Sequence, residues 1–177
     1  MGAFETLGLR VGLVISDEEI REAFRVKAAV MHPDTGGDEQ EFAKLQAARD
    51  ELLSPAKRIK AWVAARGMEA DARGQIDGGL MELFQKVSEV GAAAELLIRE
   101  NAGAKSALVK AMTEVKLMKQ REEVKDLLER IAGEVKQRTD SFQEVEKGRI
   151  DPAVMMRDLI FLEKWRATLK GIYGRLM

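Results

Sequence analysis

All three prolines of this 177-residue chain stand at the edges of apolar stripes with helical spacing, and none stands inside one. Proline fixes φ and has no N–H to donate, so it is tolerated at a helix boundary and disruptive in a helix interior. A chain punctuated in this way is constrained to fold as a set of separate helices whose ends are written into the sequence. The first starts at Ser16, where Glu19 follows three residues later and makes a capping box. Ile20, Phe24, Ala28 and Met31 then recur at helical spacing. His32 precedes Pro33, and a residue before proline is pushed out of the α region, so the helix is expected to stop there. The segment HPDTGGD reads as a turn, with Gly36 and Gly37 free to take unusual backbone angles. Asp38 with Glu41 caps the next helix, whose inner stripe is Phe42, Leu45, Ala48 and Leu52. Ser54 and Pro55 supply an N-cap and a first-turn proline for a shorter helix to about Ala65, with Ile59, Trp62 and Val63 inside.

Four glycines between Arg66 and Gly79 and weak periodicity mark that stretch as a linker. Beyond it, Leu80, Leu83, Phe84, Val87 and Val90 give one apolar helix face, and Gly103 marks a break. A long helix is predicted over Ala104 to Glu146, with Leu108, Val115, Met118, Leu128, Ile131, Val135 and Phe142 facing inward. Asp151 and Pro152 start a last helix carrying Met155, Leu159, Leu162, Trp165, Leu169 and Tyr173. Strand-like alternation is scarce. The expected fold is all-α: an antiparallel helical hairpin domain over residues 1–66, a linker over 67–79, and a three-helix bundle over 80–177.

Composition narrows the chemistry. The chain has no cysteine and one histidine. Disulfides, Cys/His zinc sites, cysteine nucleophiles and protein-bound iron–sulfur clusters all need ligands it lacks. Any nucleophile–histidine triad would have to use His32. The 29 basic and 30 acidic residues leave a formal charge of −1, with no electrostatic footprint for nucleic acid or an anionic membrane. There is no apolar run of roughly 18 residues that could span a bilayer, and the N-terminus lacks the pattern of a signal peptide. No phosphate loop, HExxH or dinucleotide fingerprint occurs, so the chain reads as a non-enzyme without cofactor or metal. A cytoplasmic protein is expected.

The one constellation with specificity is His32-Pro33-Asp34 between two capped amphipathic helices. Alone, the tripeptide fits a solvated turn as well as a contact loop. With its flanks, FETLGL, EEIREAFRVKAAVM, the HPDTGGD loop and EQEFAKLQAARDELLSPAKR, it closely resembles a J-domain over about Phe4 to Lys60. J-domains are the modules of DnaJ-type co-chaperones. The resemblance implies that His32, Pro33 and Asp34 contact a DnaK-type heat-shock chaperone and stimulate its ATP hydrolysis, with a basic face of Arg21, Arg25 and Lys27 meeting an acidic surface on that partner. The chain departs from the family where Glu22, Val26 and Val30 stand at positions that are often basic, and where Thr35 follows the tripeptide. Lys27 occupies a normally inward-facing leucine position, so its stem is expected to lie along apolar surface with the charge outside.

The remainder carries no glycine/phenylalanine-rich tract and no zinc module. A J-like part, a short linker and a helical bundle of about a hundred residues together resemble the HscB (Jac) type of iron–sulfur co-chaperone. Three segments carry the likeness: LLSPAKRIKAWVAARGME, GLMELFQKV and RDLIFLEKWRATL. The resemblance implies that Leu80, Met81, Phe84 and Phe161 form an apolar patch for the cluster-assembly scaffold. Leu80 and Phe84 also fit a bundle core by spacing alone, whereas Met81 lies off the stripe. The acidic residues that the family places along this helix are reduced to Glu82 and Glu89. Two alternatives remain at this point: a J-domain protein for another client, and a vestigial J-like module for interaction or dimerisation.

Overall fold

The computed structural model describes residues 2–32, 37–74 and 77–177. The described residues form eight helices and no strand: α1 (Ala3–Leu7), α2 (Asp17–Met31), α3 (Glu39–Leu53), α4 (Pro55–Ala65), α5 (Gly78–Gly103), α6 (Ala107–Asp140), α7 (Phe142–Glu146) and α8 (Pro152–Leu176). The fold is all-α. Local chemistry sets most of the boundaries. Ser16 accepts the Glu19 N–H while the Glu19 carboxylate accepts from the Ser16 backbone, a complete capping box. The Ser16 hydroxyl, and after it the Ser16 N–H, hold the Glu19 carboxyl below its usual range. The box is therefore intact above the ordinary glutamate pKa and is lost as pH falls through the lowered one. Asp38 caps α3 through the Glu41 N–H, and Ser54 caps α4 with Pro55 at its first turn. At the far end of α4, Gly67 takes φ +66°, and the Gly67 and Met68 N–H groups donate to Ala64 and Val63. That is a Schellman closure, which needs the left-handed residue glycine supplies.

Contacts divide the chain into two compact units, one of Met1–Gly74 with Arg138–Leu159, the other of Gln75–Gln137 with Ile160–Met177. In the first, α3 packs against α1, α2 and α4. Phe4, Leu13, Ile20, Leu45, Leu52 and Ile59 are fully buried there. In their midst lies Arg58, the arginine that follows the Ser-Pro cap of α4, with its side chain 5% exposed. Its Nε donates to the Leu52 carbonyl at 2.7 Å, Nη1 to the Ile15 carbonyl at 2.7 Å, and Nη2 to Asp17 Oδ1 at 2.8 Å. The guanidinium carbon lies 6.0 Å from the Phe142 ring centre. Glu146, four residues on, accepts the Leu13 N–H. One side chain thus ties the end of α3 and the start of α2, and its face meets α7.

The second unit is a bundle of α5, the main part of α6 and the second half of α8. Leu80, Leu83, Val87, Val90 and Ala94 meet Leu117, Val124, Leu127 and Ile131, and both sets meet Leu162, Trp165, Leu169, Ile172 and Leu176. The buried Gln120 amide donates to the Val90 carbonyl at 3.2 Å, so the polar group in that core has a partner. Arg175 pairs with Glu95 and holds that carboxyl below its usual range.

Three readings of the sequence need correction. The long helix is not continuous to Glu146: it ends at Asp140, and Ser141 opens the separate turn α7. No Gly or Pro marks this break. Phe142, 2% exposed, is buried in a unit whose contacts differ from those of the helix before it. Leu108, Val115 and Met118 do not face inward; they are 72%, 70% and 58% exposed. The first half of α6 carries two apolar faces, and the core takes the one with Thr113, Leu117, Gln120 and Val124. The division by contact also differs from a boundary in the linker, because residues 138–159 cluster with the N-terminal helices.

Arg58→Met keeps the side chain's bulk but leaves the Leu52 and Ile15 carbonyls buried without a donor. We expect it to cost about 3–5 kcal/mol, the usual penalty for breaking a buried charged network, read as a lowered urea midpoint by circular dichroism. A loss below about 1 kcal/mol would mean that these bonds contribute no more than a surface pair.

Candidate functional site

The sequence ends α2 at a histidine, and so does the fold. His32 is the C-cap of α2, with φ −67° and ψ 135°, the extended geometry that a following proline demands. Its ring is half-buried and meets the Phe42 ring edge-on, with centroids 4.9 Å apart at 74°. Phe42 lies 6.3 Å from Phe24, and the Arg49 guanidinium sits 4.3 Å above the Phe24 ring. Later residues of α2 therefore meet earlier residues of α3, so the two helices run antiparallel. The ladder from Arg49 through Phe24 and Phe42 fixes the imidazole at the end of the hairpin where α2 leads into α3. Such edge-on aromatic pairs contribute about 0.5–1.5 kcal/mol beyond their buried area.

The described residues on either side of positions 33–36 are joined. Gly37 donates its N–H to the His32 carbonyl at 3.1 Å. A Cβ at residue 37 would overlap the Met31 carbonyl oxygen, so glycine is required by close approach. Pro33 and Asp34, the other two members of the candidate tripeptide, lie outside the described residues, as does Thr35.

The basic residues of α2 separate into two groups. Arg21, Arg25 and His32 are four and seven residues apart, one face of a helix. Arg21 lies 3.7 Å from Asp17 and 3.8 Å from Glu18, and Arg25 pairs with Glu22; all are solvent-exposed. Lys27 is elsewhere. Its Nζ donates to the Thr6 carbonyl at 2.7 Å in a half-buried position, and its terminal atoms lie 3.3 Å from where a Gly8 Cβ would be. This corrects its assignment to the basic face: the ammonium closes the C-terminal end of α1, where a cation suits unpaired carbonyls. Nor does its charge lie outside, as expected from the sequence. Val26 and Val30 stand 60% and 77% exposed, an apolar pair one turn apart.

A second cluster forms in the bundle unit. Phe84 of α5 and Phe161 of α8 approach the same ring, Trp165, at 5.7 and 6.0 Å between centroids. Met81, one turn before Phe84, is 44% exposed and Phe84 is 42% exposed. Leu80, at 1%, is core, which corrects its place in the candidate patch. The buried Trp165 is the residue that the sequence reading assigned only to the core. Its spacing of four from Phe161 puts both on one face and was the available signal. Among the described residues, no group of three His, Asp or Glu side chains gathers to hold a metal ion, and no helix is long and apolar enough to cross a membrane.

Comparison with known proteins gives one kind of likeness. No family model matches the chain, and no curated protein matches it by sequence. The solved structure of the chaperone HscB from Vibrio cholerae aligns over the whole of both chains, with a TM-score of 0.59 and 19% identity. The fold is HscB-like.

Alanine substitution separates core from surface in the second cluster. Leu80→Ala should cost about 2–5 kcal/mol of stability, while Met81→Ala should cost under about 1 kcal/mol, in the range of exposed sites. Thermal melts of the two variants measure this; equal losses would mean that Met81 is part of the core.

Proposed function

We propose that this protein is a J-domain-type co-chaperone that stimulates ATP hydrolysis by a DnaK-type chaperone and presents a client to it through the bundle unit. The observation that carries the reading is the pinned hairpin end at His32. The support is the end of α2 at His32, an imidazole braced against Phe42, and a Gly37 N–H that donates back to the His32 carbonyl, all on the residues that flank the tripeptide. In this reading His32, Pro33 and Asp34 dock on the chaperone, and the ATP chemistry belongs to the partner. Arg21 and Arg25, on the same face as His32, supply the electrostatic approach. Their pairing with Asp17, Glu18 and Glu22 makes that steering weak, which lowers the association rate more than the final affinity.

The client we assign is an iron–sulfur cluster scaffold protein. The support is the exposed Met81 and Phe84 beside Phe161, grouped on the buried Trp165. Apolar side chains on a rigid aromatic base form the kind of anchor that carries binding energy at an interface. Met81 adapts to an irregular partner surface. The cluster, as cargo, stays with the scaffold, so a chain without cysteine is compatible with the task. The setting this implies is cytoplasmic.

The test is single-turnover ATP hydrolysis by the host's DnaK-type chaperones, with and without this protein and the scaffold. Stimulation should fall to the basal rate in His32→Gln and rise further when scaffold is added to the wild type. Met81→Ala combined with Phe161→Ala should weaken scaffold capture by about tenfold or more, in line with loss of an interface anchor, and leave scaffold-free stimulation unchanged. Normal stimulation by His32→Gln would remove the J-domain reading. Stimulation indifferent to scaffold would keep that reading and exclude the client.

A further inference from the structure

We propose that the first half of α6 is a self-association face, on which a second copy of this chain docks antiparallel. Leu108, Met112, Val115 and Met118 are 72%, 60%, 70% and 58% exposed. At 100° per residue they fall on one stripe of the helix, opposite the stripe of Leu117, Gln120 and Val124 that enters the bundle core. A helix of a monomeric protein that is apolar on both faces leaves one face without a partner.

Charge indicates which partner. Continuing along the same outer stripe, Lys119 is followed by acidic residues: Glu122, Asp126 and Glu129. At the other end of the stripe, the turn between α5 and α6 forms a recess of about 710 Å³ lined by Arg99, Lys105 and Lys116, with Val109 and Met112 beside them and Glu100 as its one acid. Among the described residues, Lys105, Lys116, Glu122 and Asp126 take part in no ion pair, while Arg99 helps to hold the Glu95 carboxyl below its usual range. The turn before α6 is therefore basic, the outer stripe of the helix is apolar as far as Met118, and its continuation beyond Lys119 is acidic. A two-fold axis near Thr113 brings these into register. Leu108 of each copy then meets Met118 of the other, and Met112 meets Val115. Glu122 and Asp126 reach one and two turns past the start of the other α6, over its basic recess. Such an isologous contact is self-complementary, as two-fold dimers require. The helix N-terminus adds a positive potential at the same spot.

A seam of about three turns is at the low end of the roughly 1,200–2,000 Å² buried by stable complexes, so the dimer is concentration-dependent. Met81 and Phe84 lie near the opposite end of α5, about 20 Å along the helix from Arg99 at its usual rise, and stay exposed in it. The proposal does not depend on the chaperone reading.

Sedimentation velocity of the full chain over roughly two decades of concentration tests it. The wild type should shift from monomer to dimer. Val115→Glu, at a position outside the core, should raise the dissociation constant about tenfold or more with unchanged helicity and melting temperature. Lys105→Glu and Glu122→Lys should each weaken the dimer several-fold, and the chain carrying both should regain it, because each reversed charge again faces its opposite. A wild type that stays monomeric overturns the proposal, including one that instead binds an acidic amphipathic peptide. So does a dimer indifferent to Val115→Glu. Failure of the double reversal to restore association overturns the antiparallel register.

Discussion

The N-terminal unit depends on one buried cation. Arg58 is enclosed by apolar side chains, where an unpaired guanidinium would be too costly to keep. Its planar fork has enough donors to reach the Leu52 carbonyl, the Ile15 carbonyl and the Asp17 carboxylate at once. Those acceptors belong to the end of α3, the loop before α2, and the first residue of α2. The two helices of the hairpin are thus fastened at the end away from His32. At the other end, the Phe24–Phe42–His32 contacts and the Gly37 closure complete the clamp. The residues on either side of the tripeptide, His32 and Gly37, are thereby held in place by packing and a backbone hydrogen bond.

The same arginine shows why residues 138–159 cluster with the N-terminal helices rather than with the bundle. Its guanidinium faces Phe142, and Glu146 takes the Leu13 N–H. These partners are distant in sequence: Leu13 and Glu146 are 133 residues apart. Nothing in the local pattern of residues 138–146 announces the contact. It also explains the end of α6 at Asp140, where no helix-breaking residue stands.

Features set by neighbours in sequence were legible beforehand. The caps at Ser16, Asp38 and Ser54, the stop at His32 and the end of α5 at Gly103 follow from chemistry within four residues, and each is present in the fold. Features set by competition between faces were not. In α6 both stripes are apolar, so periodicity admits either as the core face, and only packing against α5 and α8 selects one. Phe84 fits the core spacing yet stays 42% exposed, because Trp165 fills the space beneath it. Lys27 reads as a surface cation until α1 brings the Thr6 carbonyl within 2.7 Å. The candidate sites show the same division: His32 follows from a local motif, whereas the Met81, Phe84 and Phe161 group needs α5 and α8 together.

The proposed function is a division of labour, in which the hairpin end at His32 would engage the chaperone and the Trp165-centred patch would engage the client. Amide-resolved NMR on the labelled full chain tests it most directly, with ATP-bound DnaK-type chaperone and scaffold titrated separately. The expected footprint of the chaperone covers residues around His32, Gly37 and Phe42, while the scaffold perturbs α5 around Met81 and α8 around Phe161. A chaperone that leaves the hairpin signals unmoved, or perturbs only the bundle, would contradict it.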